Sequence, residues 1–400
     1  MNGAVGFGVF SIDGDEPRVG FRVGQGVLDL AASGFSSELS EPSLNAFLAS
    51  GRRTWEAVLG RAVELVEGGH DVVPLEDATV HLPFEVADYV DFYSSLEHAT
   101  NLGRLFRPDS DPLLPNWRHL PIGYHGRAGT VVVSGTPVVR PRGQSKEPDD
   151  SAPRFGPSRR LDIELELGFV VGVPSVLGTA LPPAAFRDHV FGVVLVNDWS
   201  ARDIQAWEYQ PLGPFLGKSF ATSISGWITP LALLEDCFVA PPVQDPEPLP
   251  HLRIAGNWAL DIELEVELSG TVISRTNARG LYWTMPQQLA HATSNGASVR
   301  TGDLFASGTI SGPDTGSEGS LIELTRNGDR PIELGDGSTR AFLEDGDEVV
   351  LRGRAGNVEL GEVRGTILPA GLRLAETVPL GTPDPRAPVR ARLPARRRRR

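Results

Sequence analysis

Hydrophobic and polar residues alternate along residues 161–166, which read LDIELE, and the chain then becomes continuously apolar as LGFVVGV. Side chains of a β-strand alternate between its two faces, so Asp162, Glu164 and Glu166 share one face of the predicted strand. Neighbours on that face lie about 7 Å apart. The apolar continuation indicates a buried region, where an unpaired charge is very costly. The pattern leaves three partners open for these carboxylates: water, a basic side chain or a metal ion.

The same six letters recur at residues 260–265, where they continue as VELSGTVIS. Here the alternation persists up to a Ser-Gly turn and a second apolar-rich run, which is typical of a β-hairpin with one face in water. The second copy therefore predicts a solvated acidic face, formed by Asp261, Glu263, Glu265 and Glu267. For the first copy, the pattern alone does not decide between an exposed acidic stripe and a buried group.

The remaining patterns predict a β-rich chain. Short strands separated by Gly and Asp turns are predicted for the first 30 residues. One helix is predicted from a cap at Ser43 through residues 44–66, ended by Gly68 and Gly69. From about residue 85 onward the chain reads as strands and turns, in line with its 45 glycines and 33 prolines.

Three segments follow from these patterns. We predict an N-terminal β domain at residues 1–85 and a larger domain at residues 86–373. Residues 374–400 are rich in Pro and Arg and cannot form a core, so we predict a disordered tail there. The expected fold class is mainly β, of the α+β type.

Composition and charge exclude several classes of protein. The net charge is −14 although eight of the last fifteen residues are arginines, so the rest of the chain is too acidic for a nucleic-acid surface. Cys237 is the only cysteine, which rules out an intrachain disulfide and fits a reducing compartment. The N-terminus does not read as a signal peptide, and no apolar run reaches membrane-spanning length. We expect a cytoplasmic protein without nucleic-acid or membrane partners. An RNA- or membrane-binding role for the arginine tail is the alternative to simple solvation.

A candidate acid–base residue lies in VDFYSSLEHATNLGRLFR, residues 90–107. Asp91 is predicted to cap a helix there. His98 follows seven positions later, two turns on and nearly on the same face, which Ser94 and Asn101 make polar. An imidazole titrates in the range that acid–base catalysis needs, but a single histidine also serves as a structural hydrogen-bonding group. Both interpretations remain open at this stage.

A second polar site is predicted after the buried-strand pattern FGVVLV, which ends at Asn197 and Asp198. Ser200 and Asp203 have the spacing of a capping box that opens a short helix. On that helix, Arg202, Gln205 and Tyr209 share one face. A cation, an amide and a phenol together suit an oxygen-rich anionic ligand, whereas the alternative is a surface helix with an ion pair.

Two glycine-containing loops differ in what they predict. PLGPFLGKS, residues 211–219, has three residues between Gly213 and Gly217 where a phosphate-binding P-loop needs four, so we reject nucleotide binding. GTISG, residues 308–312, follows an apolar strand and either presents Thr309 to a ligand or forms a plain hairpin turn.

The chain resembles the fumarylacetoacetase family in six long, colinear stretches: DFYSSLEHATNLG, LPNWRHLPIGYHGRAGTVVVSGTP, LDIELELGFVVG, VNDWSARDIQAWEYQPLGPFLGKSF, LYWTMPQQLAH and ASGTISGP. The resemblance spans about residues 1 to 370. It implies a small N-terminal SH3-like β-barrel, a larger β-rich catalytic domain and a homodimer. The implied reaction is hydrolysis of a carbon–carbon bond in a β-diketo acid, which yields fumarate and acetoacetate at the end of tyrosine and phenylalanine degradation.

The resemblance also implies roles for individual residues. The implied ligands of a divalent cation, Ca²⁺ or Mg²⁺, are Asp91, Glu164, Glu166 and Asp198, and Lys218 and Thr222 are implied to lie near a second cation. The implied general base is His98, oriented by Glu323. The implied donors to developing negative charge are Arg202, Gln205 and Lys218. The implied substrate contacts are Tyr93, Arg107, Tyr124, Gln205, Tyr209 and Thr309. Hard carboxylate oxygens suit Ca²⁺ or Mg²⁺, and the sequence offers no Cys or His cluster for zinc.

Two alternatives compete with this interpretation. One is a hydrolase of acylpyruvates built on the same catalytic domain, against which the N-terminal domain and the WEYQPLGPFLGKSF stretch argue. The other is a non-catalytic protein in which the carboxylates hold Ca²⁺ for stability alone. The implied pair of His98 and Glu323 favours hydrolysis over decarboxylation or isomerisation of such acids. Turnover of fumarylacetoacetate that is lost on chelation would separate catalysis from the second alternative.

Overall fold

The computed structural model describes residues 3–372, which contain 27 β-strands and seven α-helices. The first eleven strands are β1 (Gly3–Ile12), β2 (Arg18–Val23), β3 (Gly26–Asp29), β4 (Val73–Pro74), β5 (Ala78–His81), β6 (Tyr89–Phe92), β7 (Gly123–His125), β8 (Val131–Val133), β9 (Val138–Val139), β10 (Arg142–Ser145) and β11 (Arg154–Pro157). The next ten are β12 (Leu161–Asp162), β13 (Leu165–Val171), β14 (Val190–Asp198), β15 (Ser200–Ala201), β16 (Thr222–Ile224), β17 (Trp227–Pro230), β18 (Phe238–Val239), β19 (Ala259–Leu260), β20 (Glu263–Leu268) and β21 (Thr271–Asn277). The last six are β22 (Leu304–Ala306), β23 (Ile332–Glu333), β24 (Thr339–Arg340), β25 (Glu348–Ala355), β26 (Val358–Glu359) and β27 (Val363–Leu368).

The helices are few and mostly short, so the predicted mainly β, α+β fold is confirmed. They are α1 (Asn45–Ala49), α2 (Arg52–Glu67), α3 (Leu96–Phe106), α4 (Phe186–His189), α5 (Arg202–Glu208), α6 (Met285–Thr293) and α7 (Leu321–Leu324). Within residues 3–372, none of these helices combines the length and the apolarity that crossing a bilayer requires. The predicted end of the second domain and the predicted tail at residues 374–400 lie outside the described residues.

The centre of the molecule is a run of strands around β14. β14 pairs with β13 on one side and with β16 on the other. From β13 the sheet continues through β22 and β6 to β7, and from β16 it continues to β8. Every residue of β14 is buried: Val193 and Leu195 pack in one hydrophobic core, and Val194 and Val196 pack in another. The continuously apolar pattern of this strand therefore reflects burial of both faces.

The N-terminal strands cover one face of this central sheet. β1 pairs with β2 and β5, and it also pairs with β17, where Phe7 lies opposite Ile228. The ring of Phe7 packs 5.7 Å from the ring of Phe191 on β14, between ring centroids. N-terminal and central strands thus share a hydrophobic core. The division of the chain at residue 85 stays a prediction.

The prediction of one continuous helix capped by Ser43 is wrong in two respects. The chain forms two helices, α1 and α2, because Gly51 between them adopts a positive φ of 86° that interrupts the helical backbone. The residue that precedes α1 is Leu44, and it makes no side-chain cap. The Ser43 hydroxyl instead accepts a bond from the backbone N–H of Asn45 at 3.3 Å, two positions on.

The two copies of LDIELE have different structures. The second copy forms the predicted hairpin, since β20 pairs with β21 and Leu264, Val266 and Leu268 are buried while Glu263 is exposed. The Glu265 carboxylate forms an ion pair with Arg275 at 2.9 Å on this outer face. The predicted hairpin is therefore confirmed, but of its four outer acids only Glu263 is exposed, and Asp261, Glu265 and Glu267 are half-buried.

The first copy is buried and is not one continuous strand. The regular strand stops after Asp162 and resumes at Leu165. Side chains take the place of the backbone ladder between them: Asp162 Oδ1 accepts from the N–H of Ile163 at 2.8 Å, and Asn197 Oδ1 accepts from the N–H of Glu164 at 3.1 Å. The regular alternation that would put all three carboxylates on one face is therefore interrupted at residues 163–164.

The buried carboxylate of Asp303, directly before β22, makes stability depend on pH. Burial raises the pKa of Asp303 from 3.8 to about 6. The folded protein therefore holds this proton at pH values where the unfolded chain has released it. The contribution of Asp303 to stability is fully present below about pH 4 and is lost as the pH rises through about 6. As the pH rises from 4 to 7, the thermal midpoint of the unmodified protein should therefore fall relative to that of Asp303→Asn. A difference that stays constant over this range would contradict the assignment.

Candidate metal centre and active site

Four carboxylates on or next to strands β6, β13 and β14 meet at one point of the central sheet. Asp91 comes from β6, Glu166 from β13, Asp198 from the end of β14, and Glu164 directly precedes β13. One oxygen atom of each lies within 4.8 Å of the others, and no member is more than 5% exposed. The arrangement follows from the register, which places Asp91 opposite Ala306 on β22 and brings β22 against β13. Of the three partners left open for the carboxylates of the first LDIELE copy, a basic side chain and a metal ion thus remain.

Basic and hydroxyl groups contact two of the four carboxylates. The ammonium group of Lys218 bonds to Glu164 and lies 2.7 Å from Asp198 Oδ2. Arg202 Nη1 lies 2.8 Å from Glu164 Oε1. The hydroxyls of Thr222 and Tyr124 donate to Asp198 at 2.7 and 3.1 Å. These partners therefore balance the negative charges of Glu164 and Asp198. Lys218 and Thr222, implied to lie near a second cation, both contact Asp198.

The other two carboxylates lack such partners. Asp91 Oδ1 and Glu166 Oε1 are buried and accept no hydrogen bond among the described residues, while Glu166 Oε2 accepts from the N–H of Gly308 at 3.1 Å. Burial, together with the neighbouring carboxylates, raises the pKa of both groups well above its usual range. For Glu164, burial is outweighed by Lys218 and Arg202, and the pKa is lowered. Clustered hard oxygens with two orphaned acceptors fit a divalent cation of the Ca²⁺ or Mg²⁺ type.

His98 and Glu323 form a buried pair, although they are 225 positions apart in the chain. Glu323 Oε2 lies 2.6 Å from His98 Nδ1, which leaves Nε2 as the free ring nitrogen. Burial alone would raise the pKa of Glu323, but His98 and the surrounding hydrogen bonds lower it. A carboxylate held ionised against Nδ1 fixes the tautomer and the orientation of the imidazole.

Three residues that hold Glu323 were not predicted. Ser320 Oγ donates to Glu323 Oε2 at 2.6 Å, Ser311 Oγ lies 3.0 Å from both carboxylate oxygens, and Asn101 Nδ2 donates at 3.0 Å. The spacing of Ser320 and Glu323 is the Ser-x-x-Glu pattern of a helix start, which is where α7 begins. That pattern was available in the sequence, whereas the approach of Ser311 and Asn101 depends on the fold.

Two predicted helix caps are wrong. Asp91 lies in β6, and α3 is capped by Ser95, whose Oγ accepts from the N–H of His98 at 3.2 Å. A strand and a turn, rather than two turns of one helix, therefore connect Asp91 to His98. The predicted capping box before α5 is also absent from the described structure. Ser200 Oγ donates to the carbonyl of Asp198, and Asp203 accepts from Ser158 Oγ at 2.6 Å.

A cavity of about 500 Å³ brings the predicted residues together. This volume suits a small organic ligand. Residues of the predicted catalytic, metal and substrate groups that line it are Asp91, Tyr93, His98, Arg107, Tyr124, Glu164, Arg202, Gln205, Tyr209, Lys218 and Thr309. Glu166, Asp198 and Glu323 are not part of this lining but contact residues of it, and Thr222 in turn contacts Asp198. A more open groove of about 960 Å³ among charged residues of β20, β21 and β25 is lined by none of the predicted site residues.

The helix face predicted to bind an oxygen-rich ligand borders this cavity. Arg202, Gln205 and Tyr209 all line it, and Arg202 Nη1 donates to Gln205 Oε1 at 3.3 Å. Arg202 Nη2 is buried and has no hydrogen-bond partner among the described residues. The Thr309 hydroxyl is likewise buried and has no hydrogen-bond partner among the described residues. Burying such groups is costly unless a ligand or water satisfies them.

Comparison with known proteins agrees with this geometry. The family model described as fumarylacetoacetate (FAA) hydrolase C-terminal matches residues 88–368, and the model described as fumarylacetoacetase N-terminal matches residues 5–83. The chain belongs to the fumarylacetoacetate hydrolase family. It is 45% identical to the fumarylacetoacetase of Homo sapiens over 91% of this chain and 95% of the relative, and 44% identical to that of Caenorhabditis elegans over 92% and 96%.

Solved structures show the same fold at lower identity. A fumarylacetoacetate hydrolase from Exiguobacterium antarcticum aligns with a TM-score of 0.54 at 16% identity, covering 92% of this chain and all of that one. A maleylpyruvate hydrolase from Sphingobium sp. SYK-6, in complex with manganese(II) and pyruvate, aligns with a TM-score of 0.52 at 16% identity, covering 91% and 99%.

The duplicated hexapeptide supplies a matched pair of variants for metal binding. Glu166→Gln should weaken the binding of Mg²⁺ or Mn²⁺ at least about 10-fold, because even the outer partners of metal ligands are worth about 10–100-fold. Glu265→Gln, at the same position of the second copy, should leave affinity unchanged, since exposed ion pairs contribute only about 0–1 kcal/mol. Calorimetric titration of chelator-treated protein measures both. Equal effects at the two copies would show that the cluster holds no ion.

The unfolding temperature of the metal-free variants distinguishes lost binding from lost folding. Glu166→Gln should not destabilise the metal-free protein, because it replaces a buried carboxyl group, whose pKa is raised and whose Oε1 has no partner, by a neutral amide of the same shape. Glu164→Gln should lower stability by about 3–5 kcal/mol, because it leaves Lys218 and Arg202 partly unpaired in a buried place.

Proposed function

We propose that this protein hydrolyses a carbon–carbon bond of 4-fumarylacetoacetate to give fumarate and acetoacetate, the last step of tyrosine and phenylalanine degradation. The observation that carries the proposal is a buried histidine–glutamate pair in the same cavity as a four-carboxylate cluster. The name shared by relatives with 41–45% identity over nearly the whole chain supports the choice of substrate.

The metal ion belongs to the proposal. A divalent cation, Ca²⁺ or Mg²⁺, would be held by Asp91, Glu164, Glu166 and Asp198, and when bound it supplies Lewis acidity toward the substrate's carbonyl oxygens. Carboxylate ligands also accept Mn²⁺. The two orphaned oxygens of Asp91 and Glu166 support an ion on their side of the cluster.

His98 acts as the general base in the proposed reaction. Glu323 accepts a hydrogen bond from Nδ1–H and stays ionised, so Nε2 is the nitrogen that takes the proton from the attacking water. The negative charge of Glu323 stabilises the imidazolium that this transfer creates. The carbon–carbon bond of the resulting adduct then breaks, and its electron pair stays on the leaving carbon, next to the second carbonyl group. His98 returns the proton to that carbon, and the fragment is released as acetoacetate. Ser311, Ser320 and Asn101 keep Glu323 in place throughout.

Arg202, Gln205 and Lys218 stabilise the negative charge that develops on the attacked carbonyl. The unpartnered Nη2 of Arg202 is the donor that supports this role. The remaining cavity residues bind the substrate: Tyr93, Arg107, Tyr124, Tyr209 and Thr309 supply phenol, guanidinium and hydroxyl donors. Burial raises the pKa of Tyr93, so its phenol keeps its proton and donates.

Neither alternative accounts for as much of the chain. A hydrolase of acylpyruvates would use the same cluster, but the match of residues 5–83 to a fumarylacetoacetase N-terminal model favours the first proposal. A protein that binds a cation only for stability has no use for a buried His98–Glu323 pair. The proposal includes a homodimer, a cytoplasmic location, domains at residues 1–85 and 86–373, and no nucleic-acid or membrane partner.

Removing the histidine or its partner tests the mechanism. His98→Ala and Glu323→Ala should each lower kcat for fumarylacetoacetate about 10²–10⁴-fold, the usual value of a general base. The double variant should lose little more than the worse single variant, because the two side chains act as one unit. Divalent-ion affinity should stay unchanged, and His70→Ala, at an exposed position, is the control. A His98→Ala protein with unchanged kcat would remove the general-base assignment.

A further inference from the structure

Asp162 stands apart from the metal cluster, although the alternating pattern put it on the same face as Glu164 and Glu166. It is fully buried, at 0% exposure, yet contributes no oxygen to the four-carboxylate cluster. The break in the strand after Asp162 accounts for the difference. A buried carboxylate that holds no ion must be satisfied by protein donors.

Four donors satisfy the two oxygens of Asp162. Oδ1 accepts from the backbone N–H groups of Ile163 at 2.8 Å and Leu321 at 2.7 Å. Oδ2 accepts from Arg202 Nε at 2.8 Å and from the N–H of Ile322 at 3.1 Å. The carboxylate therefore joins three separate segments of the chain: its own strand, α5 and α7.

One of these contacts fixes the guanidinium group of Arg202. Nε is held by Asp162 and Nη1 by Glu164 and Gln205, which leaves Nη2 without a protein partner on a residue that lines the cavity. A planar guanidinium held at two of its nitrogens has its third nitrogen fixed in direction. Asp162 thus determines where the proposed donor to the substrate lies.

The other contacts fix the backbone that carries Glu323. Leu321 and Ile322 are the two residues directly before Glu323 at the start of α7, and their N–H groups have no partner within so short a helix. Asp162 accepts from both of them. The position of the Glu323 carboxylate, and through it the orientation of His98, depends on this attachment.

We propose that Asp162 is a positioning residue. It holds Arg202 and the Glu323 backbone in fixed positions relative to each other and to the strand that carries the metal-binding glutamates. This inference rests on the proposed function for its catalytic consequence. Asp162 itself touches neither the cavity nor the reacting atoms, and its effect passes through Arg202 and Glu323.

Asp162→Asn is the most informative variant, because it keeps the shape of the side chain and replaces one acceptor oxygen by an NH₂ donor. An amide NH₂ donates and cannot accept, so in either orientation it opposes one pair of the four donors. We expect kcat to fall about 10–100-fold, the usual loss for a residue that orients catalytic groups, with KM changed much less. Asp261→Asn is the matched control at the same position of the second copy, where the carboxylate is partly exposed and bonds to Asn277. Its kcat should be unchanged.

A spectroscopic measurement separates positioning from general damage and needs no substrate. A proton held between His98 Nδ1 and a buried carboxylate at 2.6 Å gives a far-downfield proton resonance, which His98→Gln identifies by its loss. We expect this resonance to be unchanged in Asp261→Asn, and to shift or disappear in Asp162→Asn. If kcat or the resonance of Asp162→Asn equals that of Asp261→Asn, the proposal is overturned.

Two further outcomes keep the test decisive. If the unmodified protein does not turn over fumarylacetoacetate, the proposed function fails, while the resonance still decides the role of Asp162. If Asp162→Asn does not fold, Asp162→Glu keeps the charge and moves it by one methylene. We expect Asp162→Glu to fold and to stay at least about 10-fold below the unmodified kcat. A kcat equal to that of the unmodified protein would show that charge alone suffices, and would overturn the positioning role.

Discussion

Four carboxylates buried within 4.8 Å of one another are the constraint on which the rest of the structure depends. Lys218 and Arg202 balance Glu164 and Asp198, whereas Asp91 and Glu166 each keep a buried oxygen without a partner. No member of the cluster is more than 5% exposed, and both faces of β14, the strand that ends in Asp198, are buried. Such a concentration of charge is stable only when a cation or protons neutralise it.

The same burial strengthens the hydrogen bonds and ion contacts that the neighbouring polar groups make. In a region of low dielectric constant, the His98–Glu323 contact and the donors around it are worth more than they would be in water, and a missing partner costs more. The site is therefore tightly connected: Glu164 contacts Arg202, Arg202 contacts Asp162, and Asp162 holds the helix that carries Glu323. A change at one of these residues reaches the others through direct contacts.

Local sequence patterns predicted the elements better than their connections. Burial of both faces was evident in FGVVLV, and the alternation of the second LDIELE copy predicted its hairpin, but the pattern alone left the first copy undecided between an exposed stripe and a buried group. The patterns missed the break after Asp162, the cap at Ser95 and the interruption at Gly51, because side-chain hydrogen bonds and a positive φ overrode the local periodicity there. His98 and Glu323 are 225 positions apart, so their pairing was implied only by the family resemblance.

The claim that the buried carboxylates serve the chemistry is tested most directly by measuring fumarylacetoacetate turnover while divalent ions are removed and then returned. We expect a chelator to abolish turnover while the protein stays folded, and we expect Mg²⁺, Ca²⁺ or Mn²⁺ to restore the rate in proportion to the amount bound. Turnover that continues unchanged in the stripped protein, or ion binding that restores no activity, would contradict it.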